Sequence, residues 1–250
     1  MSEEPQAARP RSSEGEEELT VWEHVAELRR YVLLSVASVL VFGSLTHAYR
    51  NELMAVLLRP LSKDATLQFL SPLDPLLFIL TLDLLGGVLL SLPVILWGLY
   101  RFISPALPRV SAWHVFLVLL GCVALGAAAL AYGYLIAVPV TLAVLTGLTL
   151  PGTEAAFTAK GYLSFLGTVL FMLVLVFELP LVMVALARLG LLEPRLLARK
   201  RGYVYLGLLV GVAVVTPTTD LISLALLLLP TYAVFELGLV GARLIAITKH

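Results

Sequence analysis

Charge is what this sequence has least of. Asp, Glu, Lys and Arg together make up 14% of its 250 residues, where soluble domains run near a quarter. A water-facing exterior cannot be assembled from so few, since 60% of the chain is hydrophobic and the mean hydropathy is +0.97. The 17 acids balance the 17 bases, and bulk charge therefore points to no nucleic-acid partner. Cysteine is nearly absent: Cys122 stands alone, which excludes an internal disulfide, and its apolar surroundings mark it as a small core residue. The four histidines, at 24, 47, 114 and 250, are isolated along the chain. There is no HExxH, no Cys/His set at metal-binding spacing, no Walker loop and no GxSxG, so the sequence announces no enzyme, metal or cofactor. Also missing from the first thirty residues is the short apolar run of a cleavable signal peptide.

What the chain has in quantity is long apolar runs. Segments near 31–49, 76–104, 114–146, 162–187, 203–215 and 221–240 approach or exceed the ~20 residues that a spanning helix needs. They predict an all-α integral membrane protein with six transmembrane helices, the fifth short for a full crossing. Residues 1–18, rich in Glu, Ser, Pro and Arg, read as a disordered acidic tail, and residues 19–250 as a single six-helix transmembrane domain. From Leu19 to Arg30 apolar residues recur at helical spacing while Glu23, Glu27 and Arg30 share another face, which predicts a short helix on the membrane surface. Segments 50–75, 104–112, 147–161 and 187–202 read as loops. The N-terminal thirty residues and segments 101–109, 188–201 and 243–249 hold 13 of the 17 Lys and Arg, which predicts cytoplasmic termini. Trp22, Trp97 and Trp113 read as interface anchors.

Four acids lie in or beside apolar segments: Asp83, Glu178, Asp220 and Glu236. A charged side chain at a helix centre costs at least ~2.5 kcal/mol on insertion scales. Asp83 and Glu236 are close enough to span ends to reach an interface, and Asp220, after a Thr-Pro-Thr turn, is placed to cap the last helix. Glu178 is deeper. With Pro180 it interrupts VLFMLVLVFELPLVMVAL, residues 169–186. The proline removes the N–H that would bond the carbonyl of Val176, so the pair forms a polar notch. Taken alone, these residues leave open a buried hydrogen bond to a neighbouring helix, a dock for a polar residue of a partner, and a proton or cation site of an ion-coupled secondary transporter.

Several stretches together resemble the twin-arginine protein translocase C subunit family (TatC): WEHVAELRR (22–30), PVILWGLYRFISPALP (93–108), GYLSF and FELP (161–165, 177–180), RKRGYV (199–204), VVTPTTDLIS (214–223) and LPTYAVFE (229–236). The resemblance implies a concave six-helix bundle in the plasma (inner) membrane. It would bind twin-arginine signal peptides of folded cargo and form a hetero-oligomer with single-helix partner subunits of the TatA/TatB type. It also implies a signal-peptide site at Glu27, supported by Glu23, with Phe102 and Pro105 in the first loop. Glu178 and Pro180, with Tyr134, would be the intramembrane docking residues, and Pro60 and Asp220 would lie in turns. The sequence departs from the family pattern where Ser111 occupies the position of a second loop glutamate, where Gly98 replaces a glutamine, where Arg101 is added, and where Leu224 follows Ser223 in place of a glutamine. A site built for two arginines then has fewer carboxylates, so a scaffold that keeps the fold without twin-arginine binding is the neighbouring reading.

Overall fold

The computed structural model describes residues 21–61, 66–103, 112–148, 156–216 and 220–248; the acidic tail 1–18 and residues 104–111 lie outside them. Helix α1 runs unbroken over Val21–Ala48, so the expected surface helix and the first span are one element. The physical reason is simple: no Gly or Pro occurs between Val21 and Phe42, and Arg29 and Arg30 can keep their charges at an interface on long side chains. The expected loop 50–75 contains helix α2, Arg50–Leu57. Leu53, Met54, Leu57 and Leu61 form its apolar stripe and pack into the core; eight residues are too few to stand out by periodicity alone.

Helix α3 spans Asp74–Ile103. Helix α4, Ala112–Tyr132, continues through a π turn at Gly133–Ala137 into α5, Val138–Gly147. The widened turn lies just before Pro139 and relieves the clash its ring would make with the preceding turn. Helix α6, Ala159–Phe177, is capped by Thr158, whose Oγ1 accepts from Gly161 N at 3.1 Å. After a break at Glu178, α7 covers Leu179–Leu189. It ends at Gly190, whose φ of 77° suits only glycine without strain. The expected loop 187–202 holds a further short helix, α8, at Pro194–Arg199. Helix α9 is Arg201–Val215 and α10 is Leu221–Thr248. Pro230 inside α10 cannot donate to the carbonyl of Leu226, and Tyr132 on α4 supplies the missing donor, its hydroxyl 2.6 Å from that oxygen.

Packing follows from where backbones can approach. Helices α1 and α3 are antiparallel neighbours: Tyr31 meets Trp97, Val39 and Gly43 meet Gly87, and His47 meets Asp83. A Cβ on Gly87 would sit 2.6 Å from the carbonyl oxygen of Val39, so this crossing depends on the absent side chain, as small-residue helix interfaces in membranes do. Helix α6 is the most enclosed, burying Leu163, Leu166, Val169, Leu173 and Val174. Gly238 of α10 faces Pro180 of α7 in the same way as Gly87 faces α1, a Cβ there lying 2.8 Å from Pro180 Cα.

The one exception to the helical architecture among the described residues is a two-residue parallel ladder. Strands β1, Leu67–Gln68, and β2, Phe157–Thr158, pair Leu67 with Phe157 and Gln68 with Thr158, so the loops after α2 and after α5 sit on the same side. Five stretches among the described residues are long and apolar enough to cross a membrane, and Arg201–Val215 is a shorter apolar sixth. Its 15 residues rise about 22 Å, less than a ~30 Å hydrocarbon core.

Two substitutions test this packing through thermal unfolding in detergent. Gly87→Val should destabilise the fold by about 1–3 kcal/mol through overpacking, whereas Gly202→Ala, where an added Cβ meets nothing within 4 Å, should leave the midpoint unchanged or raised. Tyr132→Phe, which strips the Leu226 carbonyl of its donor, should cost about 1–2 kcal/mol; an unmoved midpoint would mean that another group takes that carbonyl.

Candidate functional site

The antiparallel register of α1 and α3 decides which sequence-predicted residues meet. Tyr31 and Trp97 stack edge to face with ring centroids 6.2 Å apart, and a Cβ on Gly98 would lie 3.5 Å from that of Tyr31. Glu27 is one turn before Tyr31 and Phe102 one turn beyond Gly98, so both come to the same end of the pair, each half-buried. Arg30 and Arg101 are exposed at that end. The carboxylate of Glu27 has the chemistry to bind a guanidinium through two parallel hydrogen bonds. Pro105 and Ser111 fall outside the described residues; Glu23 belongs to the first turn of α1, and its side chain also lies outside them.

Glu178 is the break between α6 and α7. Its amide donates to the Val174 carbonyl at 3.2 Å, and its own carbonyl accepts from Leu181 N and Val182 N, each at 3.1 Å. The residue is 6% exposed. Its side chain points at α4, in ordinary contact range of Gly126: a Cβ there would lie 3.7 Å from Oε1. The Cys122 thiol, one turn earlier on α4, is its hydrogen-bonding neighbour, while Oε2 is enclosed with no partner among the described residues. Pro180 seats α7 against Gly238 of α10. The carboxylate therefore lies at the α6–α7 break against Cys122 and Gly126 of α4, while Pro180 fixes α7 on α10.

Tyr134 is not part of this notch. It sits in the π turn, eight residues past Gly126 and so about 12 Å further along the helix, where its hydroxyl donates to the Val56 carbonyl. Tyr162 donates to the neighbouring carbonyl of Leu57. These two phenols fasten α2 to the bundle. Pro60 lies in the turn that closes α2, between the bonds Arg59 N to Val56 O and Leu61 N to Leu58 O, both 3.1 Å. Asp220 accepts from Ser223 N through Oδ1 at 2.7 Å, at the start of α10.

Two polar clusters escaped the reading of the sequence. Asp83 Oδ2 and His47 Nδ1 are 2.8 Å apart across α3 and α1, and Arg50 donates to His47 Nε2 at 3.0 Å. Because Arg has only donors, Nε2 must be the acceptor, which leaves Nδ1–H to donate to Asp83. The second joins α9 to α10: Tyr205 donates to Glu236, Arg201 lies 3.7 Å from the same carboxylate, and Tyr232 donates to the Tyr205 carbonyl at 3.2 Å. An acid in a span calls for a partner, and that was the available signal. Separations of 36 and 31 residues hid the partners' identity. Among the described residues no three His, Cys, Asp or Glu gather as a metal site.

Comparison with known proteins matches residues 23–230 to the family described as Sec-independent protein translocase protein (TatC). The chain is 32% identical over 215 residues to TatCd of Bacillus subtilis (strain 168), covering 86% of this chain and 88% of that one. It is 31% identical over 234 residues to TatC of Deinococcus radiodurans, covering 89% and 85%. Among solved structures, the crystal structure of the twin arginine translocase receptor TatC superposes with a TM-score of 0.77 at 26% identity, over 89% of this chain and 99% of that one. The family match over most of the chain, the relatives and the structural superposition show the same thing: the chain belongs to the TatC family of Sec-independent protein translocase proteins.

Proposed function

We propose that this chain is the receptor subunit of a twin-arginine translocation system, taking up the signal peptides of folded proteins at the end of the bundle where α1 begins and α3 finishes. In this reading that end is cytoplasmic, the membrane is the plasma (inner) membrane, and the chain works in a hetero-oligomer with single-helix partner subunits of the TatA/TatB type. The observation that carries it is the placement of Glu27 and Phe102 at one end of the α1–α3 pair, set by the Tyr31–Trp97 contact. A half-buried carboxylate and an aromatic side chain at one end of a helix pair suit a guanidinium and the apolar residues that follow it. The excess of Lys and Arg on segments at the same end supports its cytoplasmic placement.

Glu178 is the proposed intramembrane contact for a partner helix or an inserted signal peptide. Its unsatisfied Oε2 supports the reading, since an enclosed acceptor favours any donor able to reach it. A transport site would gather several polar groups, and among the described residues Cys122 is the polar side chain beside the acid, which favours docking over ion coupling. The scaffold reading draws on Arg30 and Arg101, exposed at the same end of the pair as Glu27, whose positive charge disfavours a cationic peptide.

Binding of the full chain, in nanodiscs, to a twin-arginine signal peptide beside its twin-lysine control decides between receptor and scaffold. A clear arginine preference is expected. Glu27→Gln should then weaken binding at least about tenfold, the worth of one charge-assisted pair; equal affinity for both peptides would leave the scaffold. Glu178→Ala and Glu178→Gln should both insert and fold, with crosslinks to single-helix partners lost in the first. Crosslinking unchanged in both would remove Glu178 from the partner contact.

A further inference from the structure

Along the α1–α3 pair runs a groove of about 430 Å³, with the Tyr31–Trp97 contact in its wall. It is lined by Arg30, Tyr31, Leu33, Leu34, Ala37, Trp97 and Arg101. The lining is ordered along the helices. On α1, Arg30, Leu33, Leu34 and Ala37 follow at the i, i+3, i+4, i+7 spacing of one helix face, so the stripe passes from a cation to hydrocarbon over about 10 Å. On α3, which runs the other way, Trp97 and Arg101 are one turn apart, and Arg101 is in the last turn. Both arginines therefore stand at the same end of the groove, with the Tyr31–Trp97 pair just below them and exposed leucines deeper still: Leu33 is 57% exposed and Leu34 40%.

We propose that this groove binds one anionic phospholipid from the leaflet on the side of the N-terminus. The Arg30 guanidinium offers bidentate hydrogen bonds to a phosphodiester, Arg101 adds its charge at the same end, the aromatic pair sits at the depth of the glycerol backbone, and the Leu33–Ala37 surface receives an acyl chain. Basic clefts between helices are where anionic headgroups gather. Charge complementarity selects this occupant. A zwitterionic lipid brings its own cation toward Arg30 and Arg101, whereas phosphatidylglycerol brings a net negative charge and a hydroxyl-bearing head. The inference stands whether or not the neighbouring Glu27 receives signal peptides.

The test is native mass spectrometry of the full chain in detergent, offered phosphatidylglycerol or phosphatidylcholine with identical acyl chains. One phosphatidylglycerol per chain should be retained, preferred about tenfold, as two interfacial arginines warrant. The double change Arg30→Gln with Arg101→Gln should abolish the preference with the helical circular dichroism intact, and Arg195→Gln with Lys200→Gln should keep it. Ala37→Phe, which fills the apolar part and spares both arginines, should lower retention of the same lipid. Equal retention of the two lipids, or a preference untouched by both groove changes, overturns the proposal. Retention that emerges only when Glu16, Glu17 and Glu18 are each changed to Gln also overturns it, because the chain's own acidic tail would then be the occupant.

Discussion

Hydrocarbon offers no hydrogen bonds, and that single constraint organises this molecule. Each backbone or side-chain polar group placed inside the bilayer must find its partner within the protein or remain costly. Pro230 leaves the Leu226 carbonyl without its helical donor, and Tyr132 reaches across from α4 to supply one. Asp83, an acid in a span, is met by His47 and through it by Arg50. Glu236 is met by Tyr205 and Arg201. In each case the polar residue that interrupts one helix fastens it to another. The interruptions are thus the joints of the bundle, and apolar contact fills the space between them.

Glu178 is one of the places where that rule is left incomplete. Its Oε2 is enclosed without a partner among the described residues, its side chain lies against Gly126 of α4, and two residues on Pro180 packs closely on Gly238. A hydrogen-bonding position kept vacant in a dry interior stores affinity for a donor that arrives later. That is the physical basis for reading the notch as a contact point within a translocase assembly. Asp83 Oδ1 and Asp220 Oδ2 are likewise enclosed without a partner among the described residues, and what sets Glu178 apart is its place at the break between α6 and α7.

Close backbone approach is the second organising feature. At Gly87 against Val39 and at Gly238 against Pro180 there is no room for a side chain, so α1 with α3, and α7 with α10, are locked in register. The first lock has a consequence for function. By aligning Tyr31 with Trp97 it brings Glu27, Phe102, Arg30 and Arg101 to one end, so that a carboxylate suited to cationic peptides and two arginines suited to anionic lipid lie within a few turns of each other. Lipid charge there would offset repulsion between these arginines and an incoming cationic peptide.

From the sequence alone came the environment, the helical class, the approximate spans including the short fifth, and the family, because hydropathy and ordered local motifs are one-dimensional signals. Continuity was harder to see: α1 runs straight through its charged start, and α2 and α8 lie inside stretches that read as loops, because short helices are held by tertiary contacts more than by propensity. The two-residue β ladder was likewise invisible. Only the tertiary structure separated Tyr134 from Glu178, sending its hydroxyl to α2 instead, and only it paired Asp83 with His47 across 36 residues. Helix-to-helix register is set by where glycines permit contact and where polar groups find donors. Those are properties of facing surfaces, which no single stretch of sequence contains.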